Sequence, residues 1–588
     1  MRAKPIRVLR AAAAGAVLLA GAARADPGAF DRLLADHWAW HLANHPVEAT
    51  ILGERAHDAR LEDLSLAAMD RRAAEAGRFL ARLEAIDRAR LDPERRVSAD
   101  ILARLLRRQV EANRTPARTR LFTNREGFHT AFATLPERLP FFSLADYRSY
   151  VARLGAFPAQ VDQAIATTRA GARAGWALPC AVLEGFPETV RRFAEPTGQS
   201  RFLRPFAQRP QTIPEAEWAG LRARAERAVR GAVNPAYLRF AEFLDREYVP
   251  ACRPEVGISA APGGRDYYAW RAREETTTDL SPDEIHEIGL AEVARIRTEM
   301  EAVARRAGFA SREAFIEHLR TDPQYYAKTP GELMREVAYV TRIADGWMPR
   351  LFGRLPRLPY TIREIPAETA PTTTTAYYQP GSAAAGTPGV YFVNTSKLSE
   401  RPLYEVPALS IHEAVPGHHH QIALAQELDL PPFRRHAAFF TGFVEGWGLY
   451  AERLGLEMGL YDTPAKDMGR LSYEMWRAAR LVVDTGLHHR GWSRAEAVAF
   501  LRDNTALSAA NIEAEVNRYI AWPGQALAYK IGELRIRALR AEAERALGTR
   551  FDLRAFHDRL LESGAVPLDV LEAKMRAWIA AEAGAPAR

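Results

Sequence analysis

Apolar positions recur with helical spacing along most of the chain. From Phe30 to about Arg108, Leu33, Leu34, Trp38, Trp40 and Leu42 stand among polar residues at three- and four-residue intervals, the spacing of an amphipathic helix. Arg71–Leu105 is dense in Ala, Leu, Arg and Glu, all strong helix formers. The same period predicts helices over Leu144–Gly171, Pro214–Tyr248, Ser281–Arg306 and Pro330–Phe352. Asp283 and Glu284 suit the positive end of the third of these. One region departs from the pattern. Thr372–Tyr378 and Gly389–Asn394 are β-branched and aromatic, and Gln379–Pro388 between them is rich in Gly, Ala, Pro and Ser. Two strands about a turn-rich connection predict a β-hairpin. From Ala408 the helical period returns almost to the end. The expected fold is mainly α: one large helical body, residues 26–588, with a small hairpin or sheet. Its metal and catalytic core is expected over about residues 370–535.

Composition changes this picture little. The chain has 588 residues, 47% hydrophobic and 26% charged, which is ordinary for a globular protein. The first 25 residues read as a secretory signal. Arg2, Lys4, Arg7 and Arg10 precede the apolar run Ala11–Ala23, and Ala23-Arg24-Ala25 offers a small-x-small cleavage site before Asp26. The run is too short to span a bilayer easily. With no cysteine near the cleavage point, neither a lipid anchor nor a stable membrane anchor is expected, and the mature protein is expected in the periplasm or outside the cell. Removing the segment, which carries five basic and no acidic residues, takes the formal charge from +7 to +2. That near-neutral balance, with no basic block interleaved with aromatics, argues against nucleic acid as a partner. Two cysteines, Cys180 and Cys252, provide no thiolate metal cluster and could form one bridge in an oxidising compartment.

The candidate chemistry lies in His412-Glu413-Ala414-Val415-Pro416-Gly417-His418. The usual zinc-peptidase helix carries its two histidines four residues apart with a Glu beside the first. Here they are six apart, which on a straight helix turns the second about 120° away from the first. A shared metal therefore requires the helix to deform. Pro416 removes one helical N–H and Gly417 tolerates unusual backbone angles, so the pair is a plausible place. His419 and His420 follow at once and leave open which histidine ligates. For the third ligand, Glu445 and Glu452 share a helix face among small and aromatic residues. Glu445 is favoured as ligand and Glu452 as the residue supporting a ligand, with the reverse still open. Two His, one Glu and a water form a catalytic zinc set, one Zn2+ per chain.

These motifs resemble a bacterial family catalogued as domain of unknown function 885. The marks are H-E-A-V-P-G-H-H-H-Q (412–421), E-G-W-G-L-Y-A-E (445–452), R-L-V-V-D-T-G-L-H (480–488) and P-G-Q-A-L-A-Y-K-I-G (523–532), with His45-Pro46-Val47-Glu48-Ala49-Thr50 and Gly53 near the start. In motif logic that family is similar to helical gluzincin peptidases such as carboxypeptidase Taq and angiotensin-converting enzyme. The resemblance implies a helical body around a deep cleft, the substrate channel, with a small sheet at the cleft edge.

Further residues can be assigned expected roles. Glu413 acts as general base on metal-bound water. Arg480, Asp484 and His488, at i, i+4 and i+8, fall along one helix side, so Asp484 can orient His488 toward a developing oxyanion. Tyr529 is a second oxyanion donor. Lys530 and Arg518 could hold a substrate carboxylate. The strand Gly389–Asn394, which contains Tyr391 and Asn394, could pair with an extended peptide. The function expected is an exported zinc-dependent hydrolase of a peptide or small amide. The alternatives are a zinc hydrolase of non-peptide amides or esters, and a non-catalytic metal- or peptide-binding protein of the same fold. A helical-bundle iron or manganese protein would want paired Glu-x-x-His motifs, and only one good cluster is present.

Overall fold

The computed structural model describes residues 28–584 except 197–198, 368–369, 371–372 and 384–385. The expected signal segment and its cleavage point lie outside the described residues. The chain is 71% helical and 4% strand, which places it in the mainly α class.

The first three long helices are α1 (Gly28–Asn44), α2 (Leu66–Glu84) and α3 (Pro93–Arg114), and α4 (Leu144–Arg173) follows. The stretch Pro214–Tyr248 forms two α-helical segments, Glu215–Ala228 and Asn234–Phe243, each followed by a π turn. α5 (Pro282–Arg306) starts at a capping box in which Ser281 and Glu284 bond each other's backbone N–H. α6 (Pro330–Leu351) precedes the sheet.

The expected hairpin is present as β2 (Ala376–Gln379) and β3 (Gly389–Val393), paired antiparallel. A third strand, β1 (Tyr360–Glu364), pairs parallel to β3, giving the order β1-β3-β2. β3 is therefore the central strand, with both backbone edges occupied. The expectation that Gly389–Asn394 pairs with a peptide is corrected: that strand has no free edge.

After the sheet come α7 (Val406–Glu413), α8 (His418–Glu427), α9 (Thr441–Leu454), α10 (Pro464–His488), α11 (Ala509–Ala521) and α12 (Ala528–Leu547). Every residue of α10 from Met468 to His488 is buried, so this helix is enclosed on all sides rather than amphipathic. α7 lies at the seam of two hydrophobic cores. Val406, Ala408 and Leu409 enter one, and Ile411, with Val415 just beyond the helix, enters the other. Cys180 and Cys252 form a disulfide, with Cα atoms 5.0 Å apart. No helix among the described residues is long and apolar enough to cross a membrane.

Candidate metal centre

The helix carrying His412 does more than bend. α7 ends at Glu413, and α8 begins anew at His418. Between them Ala414 and Gly417 adopt non-helical angles (ψ −110° and −128°), and the Val415–Pro416 peptide is cis. Three hydrogen bonds fix the break: Gly417 N–H to the Ile411 carbonyl (2.9 Å), His419 N–H to the Ala414 carbonyl (3.1 Å), and the Trp447 indole to the Pro416 carbonyl (2.8 Å). A Cβ on Gly417 would fall 2.0 Å from the His412 carbonyl oxygen, so only glycine fits there.

The break turns His418 back toward His412. Their rings stand 4.6 Å apart at 85°. Glu445 Oε2, from α9, lies 3.5 Å from His412 Nε2 and 3.3 Å from His418 Nε2. One donor atom from each of the three lies within 4.8 Å of the others. Donors on a tetrahedral zinc at about 2.0–2.1 Å stand roughly 3.3–3.4 Å apart, so the set fits a zinc ion. Glu445 Oε2 is also buried without a hydrogen-bond partner, an arrangement that costs free energy unless a cation faces it.

The same three side chains interact electrostatically. Burial pulls the His412 imidazole down, but the adjacent Glu445 carboxylate, the bonded Glu452 and the nearby Glu413 outweigh it and raise its pKa to about 9. Burial pushes the Glu445 carboxyl up, and the closeness of the His418 and His412 imidazoles holds it well below the usual carboxylate range. The two imidazoles and the carboxylate thus attract one another across the site.

Glu452 accepts from His412 Nδ1 at 2.8 Å, and Arg477 lies 3.1 Å from the same oxygen. A histidine whose far nitrogen is bonded to a carboxylate is oriented for metal binding. α9 can approach so closely because of its glycines. A Cβ on Gly448 would meet His412 Cε1 at 2.7 Å, and one on Gly446 would meet Gly532 of α12 at 2.5 Å.

The other two histidines of the run face elsewhere. His419 Nδ1 lies 3.0 Å from the Tyr378 hydroxyl, and its ring packs on Tyr360. Burial holds its pKa near 4, against a hydrogen bond to the Leu358 backbone. His420 is fully buried against Phe352, and burial lowers it to about 3.

Several expected roles need correction. His488 cannot serve as oxyanion donor. Its Nδ1 accepts from Ile258 N–H at 3.0 Å and its Nε2 donates to the Tyr519 carbonyl at 2.9 Å, leaving no free nitrogen. Asp484 does not orient it. Asp484 Oδ1 instead accepts from the Tyr268 hydroxyl (2.6 Å) and Gly524 N–H (3.0 Å), tying the 480–488 motif to the 523–532 motif. Arg480 bonds Tyr519 and Glu515 of α11. The three residues do not form a ladder, because an enclosed helix sends each polar group to a different neighbour. Lys530 is fully buried, 2.9 Å from each of Glu292, Glu474 and Glu533, and is not available to a substrate. Asn394 is likewise structural, donating to the carbonyls of Ala370, Thr373 and Thr374. Tyr391 is fully buried, its hydroxyl 3.4 Å from Ser410 Oγ, so it too is closed to substrate. Tyr529 and Arg518 are paired: Arg518 and Gln525 both donate to the Tyr529 hydroxyl.

Arg477, Gly446, Gly448 and Trp447 escaped sequence reasoning. The available signal was two glycines flanking Trp447 directly after Glu445, a pattern that marks close packing within a helix.

The likeness to known proteins covers nearly the whole chain. A crystal structure described as the putative lipoprotein from Colwellia psychrerythraea is 27% identical, with a TM-score of 0.86, over 94% of this chain and 99% of that one. A putative lipoprotein of unknown function from Shewanella oneidensis shares the fold at 19% identity and a TM-score of 0.69, over 93% of this chain and 99% of that one. No curated protein matches. The model of a family described as bacterial protein of unknown function (DUF885) matches residues 46–575, and the chain belongs to that family.

Proposed function

We propose that the protein is an exported zinc-dependent hydrolase of peptide bonds. The observation that carries this reading is the cluster of buried His412 and His418 with the half-buried Glu445, whose Oε2 is unpartnered between two imidazoles. A zinc ion there would supply Lewis acidity and lower the pKa of a water molecule to about 7. Glu413 ends α7 beside the first ligand and is 8% exposed. It takes the proton from the attacking water and returns it to the leaving amine. Tyr529 accepts from Arg518 and Gln525, so its own O–H remains free to donate to the oxyanion that develops on the carbonyl. Export is supported by the signal-like first 25 residues and by the Cys180–Cys252 disulfide, a bond that persists in oxidising compartments. The structural neighbours described as putative lipoproteins point the same way.

The test is digestion of a peptide library by purified protein, read by mass spectrometry beside its Glu413→Gln variant. The expected result is cleavage that falls about 10²-fold or more in the variant, as for a lost general base, with zinc content kept. Cleavage of amides or esters but no peptide would replace the peptidase reading with the broader hydrolase one. Turnover unchanged in the variant would overturn the role of Glu413.

A further inference from the structure

Three arginines converge beside Tyr529 with too few carboxylates to satisfy them. Arg480 of α10, Arg518 of α11 and Arg125, from the loop before Phe128, share the buried carboxylate of Glu515. The separations are 3.0, 3.6 and 3.9 Å. Glu126 is a second acidic neighbour of Arg125 but is exposed. Nη1 of Arg480 and Nη1 of Arg125 are buried with no hydrogen-bond partner, and Arg480 is only 2% exposed. Two orphaned guanidinium N–H groups in one buried cluster are costly unless an acceptor meets them.

The cluster is reachable. The side chains of Arg125 and Arg518 are 27% and 18% exposed. None of the three arginines lines the open cavity of about 640 Å³ nearby, but Thr123 and Glu126, on either side of Arg125, do, as does Trp522, over which Arg518 lies at 6.0 Å.

Two connections tie the cluster to the metal centre. Arg477, which contacts Glu452 behind His412, and Arg480 lie over the same Trp476 ring at 4.5 and 4.3 Å. Tyr529, which Arg518 bonds, lies one turn before Gly532, and Gly532 touches α9 at Gly442 and Gly446, either side of Glu445.

We propose that Arg125 and Arg518, backed by the buried Arg480, hold a carboxylate of the substrate. This rests on the hydrolase reading and narrows it to substrates carrying a negative charge near the cleaved bond, foremost the carboxy terminus of a short peptide. Planar guanidinium forks match a carboxylate in charge and geometry. They take the place expected of Lys530, whose ammonium is already neutralised by three carboxylates.

The experiment measures binding, not turnover, so it reads out whether or not peptides are cleaved. The zinc-loaded Glu413→Gln protein is titrated calorimetrically with N-acetyl-Ala-Ala, its carboxy-terminal amide, and N-acetyl-Glu-Ala amide. The free acid is expected to bind about tenfold or more tightly than the neutral amide, and Arg125→Gln in the same background is expected to abolish the difference. Tight binding of the Glu-Ala amide would make a side-chain carboxylate the ligand of the same pocket. Equal binding of acid and neutral amide would overturn the proposal, as would a preference that survives both Arg125→Gln and Arg518→Lys in proteins with normal thermal melts. If the peptide library is not cleaved while this preference stands, the peptidase reading fails and the carboxylate pocket does not.

Discussion

His412 Nδ1 and Glu452 Oε1 lie 2.8 Å apart across the contact between α7 and α9, and this bond points the other ring nitrogen at Glu445 and His418. Arg477 holds the same carboxylate oxygen from α10 at 3.1 Å. Glu452→Gln keeps an acceptor but loses the charge that faces both groups. Zinc affinity, measured by competition with a chelator, is expected to fall about 10–100-fold, as is usual when a group supporting a metal ligand is removed. Unchanged affinity would make the bond incidental.

Gly448 leaves room for the His412 ring, which a Cβ would approach to 2.7 Å. Gly448→Ala is expected to displace the ring, lowering stability by about 1–3 kcal/mol, the range for overpacking a core, and reducing bound zinc. Denaturant unfolding and metal analysis of the variant check both. A variant with normal stability and zinc would show that the ring has slack.

Lys530 is a structural cation. Removing it in Lys530→Met leaves Glu292, Glu474 and Glu533 short of positive charge in the interior. Breaking such a network costs about 3–5 kcal/mol. The expected outcome is a large fall in unfolding free energy with no change in the preference for peptides with a free carboxy terminus. Loss of that preference at normal stability would restore Lys530 as a substrate contact.

The elements were largely legible in the sequence because amphipathic helices write their period into it. α5 and α6 fall within a residue of their expected bounds. The clustering of His412, His418 and Glu445 was legible for a different reason. His412 and His418 are too far apart for one straight helix, and Pro416-Gly417 was the place where the helix could yield. The structure breaks it there. What failed was α10. Arg480, Asp484 and His488 read as one helix side at the active site, but the helix is buried from Met468 to His488. Periodicity cannot say which neighbour each group meets. The parallel strand β1 was missed because its partner β3 lies some thirty residues on, with no turn signal linking them.

Asp484 gives a pH prediction. Burial raises its carboxyl to about 7 against the Tyr268 and Gly524 hydrogen bonds that lower it. The folded state therefore holds a proton that the unfolded chain releases near the ordinary value. That stabilisation is complete below about pH 4 and is lost as pH rises through 7. Asp484→Asn removes the titration while its amide oxygen can still accept from Tyr268. Relative to wild type, the variant is expected to gain about 2–4 kcal/mol between pH 4 and pH 8 in denaturant unfolding. A difference that does not vary with pH would contradict the raised value.

The central claim is that His412, His418 and Glu445 form a zinc site. The most direct measurement is zinc content by elemental mass spectrometry of purified protein, wild type beside His418→Ala, His419→Ala and Glu445→Ala. About one zinc per chain is expected in the wild type and in His419→Ala, and loss of most of it in His418→Ala and Glu445→Ala. Full zinc in His418→Ala with loss in His419→Ala would contradict the assignment.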